Sequence, residues 1–114
     1  MSSDDTFNPM ADPEMLAAVA ETNSALAQAR ERLAEAPAEI VVVNHVMGLY
    51  ELAAIHLSAS PARLHEAALA IDAVACLVEG LGPRLGEESE TLLTALSNIR
   101  LAFVQVKGST DANT

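Results

Sequence analysis

The sequence predicts an all-α fold: a small antiparallel helical bundle of three core helices plus an N-terminal helix, completed by homo-oligomerisation. Three observations predict it. Apolar residues recur three and four apart along each long segment, the period of a helix face. The five Gly and five Pro residues fall mainly near segment ends, where they punctuate helices. The connections are short, which makes consecutive helices antiparallel neighbours. At 114 residues the chain is expected to form one domain, residues 12–107, between an acidic N-terminus (1–11) and a polar tail (108–114), both expected to be disordered. Apolar residues make up 51% and aromatic ones 3%, so the core is aliphatic and alanine-rich. A chain of this size buries roughly two-thirds of its unfolded surface, enough for one core without surplus.

The first helix is expected over about 13–34. Asp12 caps it, Pro13 suits its first position and Glu14 complements the positive end of its dipole. Its face is Leu16, Val19, Leu26 and Leu33, interrupted by Asn23 and Arg30. Alanines give it high propensity but little to bury. It therefore reads as a peripheral helix that swaps, docks a partner or projects.

The second helix, about 37–58, is the most apolar stretch: PAEIVVVNHVMGLYELAAIHLS. Val43, Met47, Tyr50, Ala54 and Leu57 form one row, and Val42, Val46, Leu49 and Ala53 a second beside it. So wide an apolar surface needs partners on more than one side. The second row is the candidate oligomer interface. Mid-helix Gly48 is read as permitting close helix approach, and Asn44 as setting register at a dimer seam.

Ser60 is expected to cap a third helix over about 61–81, with Pro61 at its first position. Its seam is Leu64, Ala67, Ile71, Val74, Val78 and Leu81. Gly82–Pro83 stops it. The fourth helix, about 87–107, opens on Glu87, Glu88 and Glu90, carries Leu92, Leu96, Ile99, Phe103 and Val106, and ends at Gly108.

The net charge of −10 comes from 16 acidic and 6 basic residues. The bases form no stripe able to follow a phosphate backbone, which argues against direct nucleic-acid binding. A basic protein partner suits the charge. The single cysteine, Cys76, allows no intramolecular disulfide and reads as a small buried apolar residue. The N-terminus lacks the features of a secretory signal. No run is read as meeting the roughly 18 apolar residues of a bilayer span, because Glu39, Asn44, His45, Glu51 and His56 interrupt the second helix. A cytoplasmic location without membrane contact is expected.

Few residues point to chemistry. His45 and His56 share a helix face about 16 Å apart along the axis, too far to bind one metal. His56 and His65 flank a turn, and His65, Asp72 and Glu79 form a polar stripe at seven-residue spacing. A metal- or small-molecule-binding regulator using His56, His65, Asp72 and Glu79 is the alternative function. No phosphate loop, nucleophile elbow, paired cysteines or di-iron ligand set is present. Catalysis, cofactor and metal are not expected. Asp72 and Arg100 each lie one step off a seam, on helices expected to pack together, and are read as a structural ion pair fixing register.

One segment, residues 70–106, reads AIDAVACLVEGLGPRLGEESETLLTALSNIRLAFVQV. Ile71–Asp72, Leu77–Val78, the Gly82–Gly86 turn, Glu87–Glu90, Leu92–Leu93, Ile99–Arg100 and Phe103 resemble the bacterial domain of unknown function 1844 family. The preceding helix, with Gly48, Leu49, Ala53 and Leu57, extends the resemblance over about residues 40–106. The turn GPRLG departs from the Lys- and Asn-containing form and is similar to an actinobacterial-type member. The resemblance implies a fold, with no assigned activity, cofactor or catalytic residue. The expected function is self-association as a dimer, with a larger, basic protein as a further partner.

Overall fold

The computed structural model describes residues 12–112, and these are helical throughout apart from short connections, with no strand among them. The helices are α1 (Pro13–Glu35), α2 (Ala38–Ser58), α3 (Leu64–Leu81) and α4 (Ser89–Ala112), with a 3-10 helix at Gly82–Glu88. The expected disorder of residues 1–11 lies outside the described residues, as do residues 113–114. The single domain expected over 12–107 is instead two compact units, divided between Ala36 and Pro37.

The first unit contains α1. Asp12 accepts a hydrogen bond from the Glu14 N–H at 2.9 Å, and Pro13 takes the first helical position, as its sequence requires. No residue of α1 is buried. Met15, Leu16, Val19, Leu26 and Leu33 are all exposed.

The second unit contains α2, α3 and α4, packed on one another with the 3-10 helix against all three. α3 supplies the largest share of the core. Ala67, Ala70, Ile71, Val74, Ala75 and Val78 are buried: the middle of the expected seam plus two flanking alanines, while its end members Leu64 and Leu81 are only partly buried. α4 contributes Leu92, Leu96 and Ile99, with Phe103 and Val106 packed at the edge. α2 contributes Val46, Ala53 and Leu57, and Leu85 of the 3-10 helix fills one end. Each fully buried Leu, Val or Ile stabilises such a core by about 1.5–3 kcal/mol. No polar or charged side chain is buried among the described residues.

Several helix ends differ from expectation, for local reasons. The third helix begins at Leu64 with Arg63 as its N-cap, and neither Ser60 nor Pro61 starts it. The Arg63 N–H donates to the His56 carbonyl at 2.9 Å, so the chain is still leaving α2 at that point. The link after α3 is a 3-10 helix broken at Gly86, where φ is 74°. Gly82, at φ 53°, caps α3 through an N–H bond to the Val78 carbonyl. The Ser89 hydroxyl donates to the Gly82 carbonyl at 3.1 Å and ties the start of α4 to the end of α3. Gly108 does not end α4, which runs to Ala112. One exposed Gly costs a helix only about 1 kcal/mol, and the Lys107–Asp111 pair, at 3.7 Å, spans it.

α2 has the length and composition to cross a bilayer, although the sequence reading expects no such run. Length and composition alone do not separate a membrane span from the core helix of a soluble protein. Here Val46, Ala53 and Leu57 go into the core shared with α3 and α4.

Candidate interaction surface

The row Val42, Val46, Leu49 and Ala53, expected to be free for an oligomer interface, is instead the row that α2 turns inward. Val46 and Ala53 have no exposed surface, and Val42 and Leu49 pack against the core half-buried. The apolar residues that α2 leaves in solvent are Ile40, Met47, Leu52 and Ile55. A helix that is apolar all round gives its hydrophobic rows no phase, so either row fits the interior equally well. The phase is carried by the exposed residues Asn44, His45, Gly48 and Glu51. Asn44 and Glu51 need no buried partner, and the His45 Nδ1–H donates to the Val41 carbonyl at 2.8 Å within its own helix. A Cβ on Gly48 would meet nothing within 4 Å, so no close approach explains that glycine.

The expected Asp72–Arg100 ion pair is not formed. Arg100 reaches Glu79 instead, with Nη2 3.4 Å from Oε1 and Nη1 3.4 Å from Oε2. The cause is side-chain direction. Helical side chains lean toward the N-terminus of their own helix. The N-terminal end of α4 adjoins the C-terminal end of α3 through the 3-10 link, so Arg100 leans toward Glu79, two turns beyond Asp72. The pair is half exposed and contributes little to stability.

Asp72 and Arg100 nevertheless lie on opposite walls of one cleft, of about 330 Å³, lined by Ala68, Ile71 and Asp72 of α3 and Arg100, Phe103 and Val104 of α4. A second, shallower depression on α2 is bordered by Asn44, His45, Gly48 and Leu49.

His56, His65, Asp72 and Glu79 do not converge. Among the described residues no three His, Cys, Asp or Glu side chains come close enough to hold a metal ion. Seven-residue spacing lines up His65, Asp72 and Glu79 along α3 but separates successive members by about 10 Å of helix axis. Cys76 is exposed, not buried. It falls between Asp72 and Glu79 on the outer side of α3, whereas Val74, Ala75 and Val78 face inward. The small apolar residues around it in sequence conceal that phase.

Compared with protein-family models, with curated proteins and with solved structures, the chain finds no match in any of the three.

Proposed function

We propose that this is a small acidic cytoplasmic protein that acts by association, as a helical bundle completed by dimerisation, with a larger basic protein as a further partner and no catalysis of its own. The observation that carries this reading is the amount of large apolar surface left in water. Among the described residues thirteen large apolar side chains are exposed, including Leu26 and Leu33 of α1, Ile55 of α2, Leu69 of α3 and Val104 of α4. A chain of this size has little reason to keep so many in solvent unless another surface covers them. The net charge of −10 keeps such a chain soluble and favours a basic partner over an acidic one. The resemblance over about residues 40–106 to the domain of unknown function 1844 family supports the same reading, since it implies a helical fold and no active-site residue.

Light scattering over a concentration series tests it. The expected mass is twice the 11.9 kDa of the chain. A protein that stays monomeric to about 100 μM, where even weak self-association shows, overturns the dimer. Capture of a basic partner from extract of the native host is expected to be lost as salt screens the charges.

A further inference from the structure

We infer that the α3/α4 face is a two-fold interface with a second copy of this chain, in which Asp72 of one copy meets Arg100 of the other. The inference rests on the self-association proposed above and names the surface that performs it.

The cleft between α3 and α4 has an apolar floor, Ile71 and Phe103, with an acid on one wall and a base on the other. Among the described residues Asp72 has no partner, and Arg100 has only a long, half-exposed pair with Glu79. Among these residues Arg100 bonds only to Glu79, at 3.4 Å through each of two nitrogens, longer than the roughly 2.7–2.9 Å of a strong charge-assisted bond. A guanidinium has five N–H donors, so Arg100 has donors to spare.

A two-fold axis converts this arrangement into self-complementarity. In an isologous interface, residue i meets j of the other copy and j meets i. A surface with one unpaired acid and one underused base across a cleft therefore forms two ion pairs at once when it meets itself. The charge distribution favours this face. The chain carries −10 overall, and like-charged surfaces resist association. The only two cations of α4, Arg100 and Lys107, both lie on this face with Val104 between them. α3 sets Asp72 and Glu79 opposite, and Asp111 pairs with Lys107, so this face carries three acids and two bases, one net negative charge of the chain's ten. Its apolar rim is also unpartnered: Val104, lining the cleft, is 64% exposed. Two helices side by side, each about 10 Å across and the shorter about 27 Å long, present a patch at the small end of specific interfaces. A micromolar dissociation constant is expected.

Charge exchange tests the pairing. Sedimentation equilibrium of the full chain, from about 1 to about 100 μM, would compare the natural protein with D72R, with R100D and with the double exchange D72R/R100D. Each single reversal places like charges together and is expected to weaken the dimer by about ten-fold or more. The double exchange is expected to restore it. Both sites are exposed, so the variants should keep their far-UV circular dichroism. V104D, which places a charge in the apolar part of the same face, is expected to weaken the dimer too and decides the matter if a reversal fails to fold. Single variants and V104D that dimerise as well as the natural chain overturn this surface and leave self-association standing. Weakened single variants without rescue overturn the Asp72–Arg100 pairing. A natural chain that stays monomeric throughout overturns the inference together with the reading it rests on.

Discussion

α1 and α3 are both well-formed helices, of 23 and 18 residues, yet the longer one buries nothing and the shorter one builds the core. Both have apolar residues three and four apart. The difference lies in what interrupts them. In α1 the seam runs Leu16, Val19, Asn23, Leu26, Arg30, Leu33, so polar residues interrupt it twice. In α3 it runs Leu64, Ala67, Ile71, Val74, Val78, Leu81 without a polar member. Alanine content, Asp12 and Pro13 are enough to make α1 a helix. They are not enough to give it a buried side. Helix formation and helix packing are separate properties, and α1 has the first alone.

Truncating the same side chain in each unit should break this comparison most sharply. Leu96→Ala, in the core of the second unit, is expected to cost about 2–5 kcal/mol, read from the shift of the denaturant midpoint. Leu26→Ala, on α1, should stay within about 0.5 kcal/mol at dilute, monomeric concentrations. Comparable losses at both sites would mean that α1 buries its seam.

The helix ends sharpen the contrast at a smaller scale. α3 must turn sharply to deliver the chain into α4, and its cap, Gly82, has a φ of 53° and ψ of −130°. Few residues other than glycine adopt that region. A Cβ there would meet nothing within 4 Å, so the cost of Gly82→Ala is backbone strain alone, about 1–3 kcal/mol in thermal or chemical unfolding. α1 ends on Ala36, in an ordinary extended conformation at φ −72°, and needs no such residue.

The smallest effect belongs to the cap of α1. Asp12→Ala removes the oxygen that accepts the Glu14 N–H and should destabilise the helix by about 1 kcal/mol. Because α1 buries nothing, the loss should appear as reduced helical circular dichroism and faster amide exchange in its first turn. The unfolding midpoint of the second unit should not move. A shift in that midpoint would show that the two units unfold together.

Which parts were readable from the residues depended on contrast along the helix. α3 and α4 alternate aliphatic and polar positions, and their seams were legible residue by residue: Val74, Val78, Leu92, Leu96 and Ile99 are buried as their spacing requires. α2 lacks that contrast, and only the exposure of Asn44, His45 and Glu51 marks which of its apolar rows faces inward. The exposure of Cys76 is hidden for the same reason, by a run of small apolar residues. The candidate site was only half legible. Asp72 and Arg100 stood out as polar residues beside apolar seams, and the structure puts them on one cleft. Their separation across it, and the turn of Arg100 to Glu79, depend on helix stagger and on the lean of a long side chain, which spacing does not encode.

By itself, then, the sequence determined that the chain is helical, where each helix lies to within a few residues, and which face two of them bury. These are local matters, decided by backbone propensity, capping and the 3.6-residue period. Only the tertiary structure decided which side of α2 faces inward, that α1 forms a unit with no buried residue, and which acid Arg100 reaches. Those outcomes depend on the distance and stagger between separate helices, set by close packing of whole surfaces and not by any single segment.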